Sequence, residues 1–224
     1  MNKPHSPERA ATARDRILDA AEAVFAADGF SGSGMKAIAT RAGVAQGLLH
    51  DHFDNKDGLY SAVIARRASA INAERLRRLE AVNLEAPDAV TRIMEALLRP
   101  PLGPAGGGHA YARIFGNMLV GGPREAVLVS KLYDPTARQF IKALERACPD
   151  ARPATVSWGY HMAISALAGT LARSDRPERL IGKASGIGAS PHAETEASVR
   201  RLVRFAVGGL LATVEAETDK QTVT

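Results

Sequence analysis

Apolar residues recur along this chain at three- and four-residue intervals and hardly anywhere in strict alternation, so the pattern predicts helix after helix. Ile17, Ala20, Ala21, Val24 and Phe25 form one stripe on a first helix from about Glu8 to Asp28, and Gly29 stops it. A second helix, Gly34 to Arg41, turns Met35, Ile38 and Ala39 inward behind a Ser33 cap. Gly43 then breaks the chain. A third helix of barely two turns covers about Ala45 to Asp51. A fourth opens at "DNKDG", capped by Asp54 or Asn55, and runs through Leu59, Val63, Ile64 and Ile71 towards Leu79.

The remainder carries the same periodicity. A helix from Asp88 to Arg99 lies between Pro87 and the breaker "PPLGPAGGG", and one from His109 to Val120 ends at "GGP". Arg124 to Cys148 reads as one long helix bending at Pro135, because proline lacks the amide donor an interior turn requires. Pro153 opens a helix to about Ser174, "IGKASGIGASPH" reads as a flexible stretch, and the last helix spans about Glu194 to Glu215. No internal repeat is visible. The expected organisation is all-α: an N-terminal domain over 1–56, ordered from about residue 8, a connecting helix and linker over 57–84, a C-terminal domain over 85–216, and a disordered tail over 217–224.

Composition adds bounds. With 224 residues, 46% of them hydrophobic, the chain can bury a core of one large or two small domains. The single Cys148 excludes an internal disulfide, as expected in a reducing cytoplasm. The polar start "MNKPHSPERAATARDR" lacks the apolar segment of a signal peptide, and no apolar run has membrane-spanning length. A cytoplasmic protein without membrane partners is expected. The net charge of +5 mildly favours a polyanionic partner.

The short third helix carries the chemistry. Between the anchors Val44 and Phe53 sit Gln46, Gly47, His50, Asp51 and His52, small and hydrogen-bonding side chains on a helix that buries little surface. Two short helices joined by a glycine turn and braced by a longer one describe a helix-turn-helix. Such a helix fits a major groove, where base edges carry distinct donor and acceptor patterns. There Gly47 permits close backbone approach, Gln46 can pair with an adenine edge, and Asp51 can accept from a cytosine amine.

The stretches "RILDAAEAVFAADGF", "MKAIATRAGVAQGLLHDHF" and "NKDGLY" resemble the N-terminal domain of the tetracycline-repressor (TetR) family over about residues 14 to 65. The resemblance implies a three-helix DNA-binding domain, an all-helical homodimer, and a variable C-terminal bundle that binds a small ligand and thereby releases an operator. By position it places Ala45, Gln46, Gly47, Leu48, His50, Asp51 and His52 on the DNA-facing helix and Lys56 on the family's phosphate-contacting lysine. Ser33 and Lys36 join this expected DNA-binding set. The chain departs from the family at Gly34 and Ala45, where Ser or Thr is customary, and at His50, where Tyr is. Residues 1–60 hold seven Lys/Arg against eight Asp/Glu, so local placement of cations decides affinity.

The C-terminal half is similar to a TetR subgroup whose characterised relatives sense lipophilic compounds, which implies an apolar or amphipathic effector. Met94, Leu98, Tyr111, Phe115, Met118, Leu119, Tyr133, Trp158, His161, Met162 and Ser165 are the expected ligand contacts, with Trp158, His161 and Met162 foremost. Methionine and aromatic side chains around polar tips suit an adaptable cavity, although each of these residues also suits ordinary core. Stripes on the last two helices, including Tyr160, Ile164, Leu167 and Leu171 on one and Val203, Val207, Leu210 and Leu211 on the other, are expected to form a four-helix dimer interface.

Other chemistries fare worse. "GPAGGGH" lacks a P-loop lysine, Cys148 has no local histidine, and the i,i+2 spacing of His50 and His52 points them to different sides of a helix. No catalytic set, metal site or cofactor is expected. The remaining alternative is a regulator triggered by a partner protein instead of a small molecule.

Overall fold

The structure is a computed structural model that describes residues 12–119, 121–172, 179–182 and 191–222. All regular structure among them is helical, as the periodicity predicts. The chain forms two compact units that divide between Ile64 and Ala65, inside one helix.

The first unit holds α1 (Ala13–Gly32), α2 (Met35–Ala42), α3 (Gln46–Phe53) and the start of α4 (Lys56–Glu80). Thr12 caps α1 with a reciprocal capping box: the Asp15 amide donates to Thr12 Oγ1 at 3.1 Å and the Thr12 amide donates to Asp15 Oδ2 at 3.2 Å. Gly29, at φ 68°, interrupts α1, so the main helix ends where expected and one further turn follows. Phe25, Phe30 and Tyr60 form an aromatic cluster with centroid separations of 5.1 to 6.1 Å. Ile17, Ile38, Leu49, Leu59, Val63 and Ile64 are fully buried.

The second unit contains the rest of α4, then α5 (Ala89–Leu102), α6 (His109–Leu119), α7 (Pro123–Leu132), α8 (Asp134–Ala147), α9 (Pro153–Ala172) and α10 (Pro191–Thr222). Within it α5 packs on α10, α6 on α9, and α9 on α10. Leu210 presses on Gly159, where an added Cβ would lie 2.6 Å from Leu210 Cδ1. No described helix is long and apolar enough to cross a membrane.

Several boundaries differ from the sequence reading. Ser33 does not cap α2. Gly34 occupies the cap position without a side-chain bond, and the Ser33 hydroxyl donates to Phe30 O at 2.9 Å. Helix α5 continues through Pro100 and Pro101, because both fall in its last turn and Gly103 N closes it onto Arg99 O. The long helix around Pro135 is two helices. The break falls at Tyr133, since proline is tolerated in a first turn but not in an interior one. Helix α10 extends to Thr222, past the expected start of a frayed tail at 217. The stretch expected to be flexible, from Ile181 to His192, lies mostly outside the described residues, as do residues 1–11.

Gly58 is the most closely approached glycine of the first unit. A Cβ there would sit 2.2 Å from Phe53 O, so the first turn of α4 meets the last carbonyls of α3 only because this side chain is absent. Gly58→Ala is expected to cost about 1–3 kcal/mol of stability. Urea denaturation measures it, and unchanged stability would mean the α3–α4 junction is loose.

Candidate nucleic-acid interface and buried polar core

Helix α3 is held from behind and open in front. Leu49 is 0% and Phe53 6% exposed, while Ala45, Gln46, Gly47, His50, Asp51 and His52 are all exposed and Leu48 is half-buried. Gly43, in the left-handed region at φ 66°, ends α2 and donates to Ala39 O and Thr40 O. This turn sets the angle between the two short helices. At the other end Asp54 adopts φ 61° and its amide donates to His50 O. The His50 ring is tied to the same corner, with Nδ1 2.9 Å from Asp54 O. Because a carbonyl only accepts, that contact assigns the proton to Nδ1 and leaves Nε2 of the neutral ring as an acceptor. The side chain is therefore fixed in orientation. Arg14 lies over the Phe53 ring at 5.3 Å, which brings a cation to the base of α3.

Lys56 has a second task. Its Nζ donates to Ser33 O at 2.8 Å and sits 4.5 Å from the Phe30 ring centroid. The ammonium thus ties the start of α4 to the end of α1, with further N–H donors left for an anion. Ser33 is only 4% exposed, with its hydroxyl turned to Phe30 O and its carbonyl taken by Lys56. Its hydroxyl and carbonyl are thus engaged inside the unit. Lys36 is exposed on α2. Gly47 is not required by packing, since a Cβ added there meets nothing within 4 Å.

In the second unit the structure divides the expected ligand contacts into two groups. Met94, Leu98, Tyr111, Phe115, Met118 and Tyr133 are all buried, and the rings of Tyr111, Phe115 and Tyr133 lie 5.7 to 6.2 Å apart in sequence. The side chain of Leu119 lies outside the described residues. Trp158, His161, Met162 and Ser165 are on the opposite side of α9, where Trp158 is 62% and Met162 60% exposed. These four do not line the core. Trp158 follows the buried Val156 by two positions, about 200° around a helix, so burial of Val156, Ala163 and Leu167 turns it outward.

The residues expected to form a dimer stripe differ in burial within the chain. Ile164, Leu167, Val203 and Leu210 are buried in their own unit, and Tyr160, Leu171 and Val207 are half-buried. Of the expected set only Leu211 is exposed, at 39%. Leu210 of this set packs against Gly159 of α9 within the chain.

Arg75 is assigned no role by the sequence analysis. The residue is 2% exposed. Its Nε donates to Leu97 O at 2.9 Å, while Nη2 is buried without a hydrogen-bond partner. Burial pushes its pKa down, and the phenol oxygens of Tyr160, Tyr133 and Tyr111 oppose that shift. The signal was present, for Ala68, Ile71 and Arg75 share the buried stripe of α4. Tyr111 and Tyr133 hydroxyls lie 2.5 Å apart. Burial lifts Tyr133 to about 12, against opposing effects of the Tyr111 hydrogen bond and Arg75. Elsewhere in this unit, a cleft of about 500 Å³ is lined by residues including Glu74, Arg78, Arg99 and Glu196, and by none of the expected ligand contacts. Hydrogen bonding to Arg77 is the largest of the effects that hold the Glu74 carboxylate at about 2.

Comparison with known proteins follows the same division. Residues 17–63 match the family profile of bacterial regulatory proteins, tetR family, and residues 92–209 match that of the tetracyclin repressor-like C-terminal domain. The HTH-type transcriptional regulator UidR of Escherichia coli (strain K12) is 41% identical over 51 residues, 23% of this chain and 26% of UidR. The HTH-type transcriptional activator FasR of Mycolicibacterium smegmatis is 45% identical over 53 residues, 24% of each chain. The chain thus matches about a quarter of the length of these curated relatives. Among solved structures, the fatty acid degradation regulator FadR from Bacillus halodurans superposes with a TM-score of 0.67 at 17% identity, covering 93% of this chain and 98% of that one. FadR from Bacillus subtilis, solved in complex with stearoyl-CoA, gives 0.55 at 17% identity, covering 84% and 96%. At these identities the structural likeness speaks for the fold.

Two outcomes follow from this geometry. Gly47→Ala should leave stability unchanged or raise it by up to about 1 kcal/mol, because alanine suits a helix interior and meets no neighbour. The same change should weaken duplex DNA binding, read by fluorescence anisotropy, while unchanged affinity would show that no close approach occurs there. Tyr133 ionises at about 12 in the folded chain and near 10.0 when exposed. Its stabilising contribution is complete below the lower value and is lost as pH rises through the higher one. Tyr133→Phe should flatten the alkaline fall in Tm.

Proposed function

Because the chain belongs to the tetR family of bacterial regulatory proteins, we propose that it is a ligand-responsive transcriptional regulator that holds a palindromic operator as a homodimer and is released by a small effector. The observation that carries this reading is the asymmetry of α3: Leu49 and Phe53 are buried while Gln46, Gly47, His50, Asp51 and His52 face outward. Gln46 and His50 read base edges, Gly47 allows the approach, and Lys36 and the remaining donors of Lys56 hold backbone phosphates.

The outward faces of α9 and α10 support a second copy of the chain as partner. Trp158, Met162 and Phe205 are 62%, 60% and 71% exposed, and Gly208 and Gly209 have open space around them. Large exposed apolar side chains beside small residues suit close helix packing across a two-fold axis. Dimeric helix-turn-helix proteins bind half-sites one helical turn apart, about 34–36 Å, so a two-fold partner suits a palindrome.

Effector action follows from differential affinity. The second unit has a core of methionine, leucine and aromatic side chains that suits an apolar or aromatic molecule. Binding favours the arrangement in which the two heads do not fit successive turns of DNA, and operator affinity falls by the ratio of affinities for the two states. Helix α4 is the natural lever, since its residues belong to both units.

The test is an electrophoretic shift on the DNA upstream of the protein's own coding sequence. One cooperative retarded species at a pseudo-palindrome is expected. Trp158→Asp combined with Met162→Asp should give a monomer in sedimentation and abolish that cooperativity. No retardation, with or without added ligand, would contradict the proposal.

A further inference from the structure

The cleft of the second unit lies apart from the apolar core that the effector reading uses. Helix α4, the end of α5, the short turn Pro104–Gly106 and the start of α10 enclose about 500 Å³. Small-molecule sites occupy roughly 300–1,000 Å³, so the space suits a compact ligand. The stretch from Pro100 to Ala105 gives the cleft an apolar side. Pro100 and Pro104 have no amide proton, and the Gly103 amide is already donated to Arg99 O and Pro100 O. Ala105 adds only a methyl group. This side is therefore built from small, flat faces.

The charged side chains of the cleft are held in place by their neighbours. Glu74 accepts from Arg77 Nε and Nη2, both at 2.8 Å, and from Arg78 Nε at 2.6 Å. Hydrogen bonding to Arg77 leads the effects that keep this carboxylate at about 2, so the brace persists at neutral pH. Arg99 gives Nε and Nη2 to Glu95 at 3.0 and 2.7 Å, and its Nη1 donates to Glu196, which ties α5 to α10.

Donors outnumber acceptors here. Glu74 already takes three N–H groups, and Glu196 is engaged by Arg99. Arg78 donates Nε alone, and among the described residues its Nη1 and Nη2 meet no acceptor. With Nε fixed on Glu74, the Nη1–Nη2 edge of the planar guanidinium is a two-pronged donor of the spacing a carboxylate accepts. The Arg78 side chain is only 35% exposed, so an ion pair formed there is less screened than one on the open surface. An added cation would find the carboxylates of the cleft already engaged, whereas an anion finds an open donor edge.

We propose that this cleft binds a small aromatic carboxylic acid, whose carboxylate accepts from the Nη1–Nη2 edge of Arg78 and whose ring lies against Pro100, Pro104 and Ala105. The site is additional to the effector reading and does not depend on it. An uncharged molecule of the same shape keeps the ring contact and loses the ion pair. A bound acid touches residues of α4, α5 and α10 at once, so it raises the stability of the second unit.

Matched probes test this on the full-length protein without DNA. Cinnamate and phenylacetate are compared with cinnamamide and phenylacetamide by isothermal titration calorimetry and thermal shift at neutral pH. Each acid should bind about tenfold more tightly than its amide, as expected for a charge-assisted pair. Arg78→Met keeps the aliphatic stem and should erase that difference while leaving amide affinity in place. Arg77→Met removes the neighbouring charge without touching the cleft and should retain the acid preference. Ala105→Trp fills the cleft and should abolish binding of acid and amide alike. Equal binding of acids and amides, a preference that survives Arg78→Met, or binding that survives Ala105→Trp would overturn the assignment. So would silence from both acids. The DNA-binding reading is judged separately, by the shift assay.

Discussion

An eight-residue helix does not hold itself together in water, because nucleation costs more than two turns of hydrogen bonds return. Everything proposed for the first unit depends on how α3 escapes that limit. Leu49 and Phe53 anchor it from one side, Gly43 turns the chain before it and Asp54 closes its C-terminus, both at positive φ, and Gly58 lets the next helix abut it. None of these contacts uses the outer face. The outward polar side chains of α3 are consequently displayed without packing against the unit, and the His50 ring is held by its bond to Asp54 O. A base-reading surface gains from such preorganisation, since little side-chain entropy remains to be lost on binding.

Much of this was legible in the sequence because it rests on local rules. The stop at Gly29, the turn at Gly43 and the inward positions Ile38, Leu49 and Phe53 follow from periodicity and glycine geometry. What escaped were choices made by tertiary packing. Ser33 has the chemistry of a cap, but Phe30 O and Lys56 claim it first. On α9 and α10, apolar residues occupy more than one face, so periodicity could not say which face meets the chain itself. Once Val156, Leu167 and Leu210 are seen to be interior, Trp158, Met162 and Phe205 are necessarily outside. Arg75 went unassigned because a charged residue is rarely found on a buried stripe.

The two units show opposite uses of polarity. In the first, polar groups on α3 are left to the solvent, and the cation Lys56 is drawn into service as a brace. In the second, a cation, an amide and hydroxyl groups are placed inside, with Asn72 Oδ1 and Arg75 Nη2 lacking a hydrogen-bond partner. The shared helix α4 carries both Lys56 and Arg75, so the brace of one unit and the buried charge of the other lie on one continuous backbone.

The central claim is that anchoring α3 from behind is what presents its outer face to DNA. Leu49→Ala tests it most directly, since Leu49 is fully buried, its truncation costs about 2–5 kcal/mol in a packed core, and it leaves every outward side chain of α3 in place. Stability and duplex affinity should be measured on the same preparation. The account predicts that the first unit loosens and DNA binding falls with it, while the helical signal of the second unit persists. Undiminished DNA affinity alongside a clear loss of stability would contradict it.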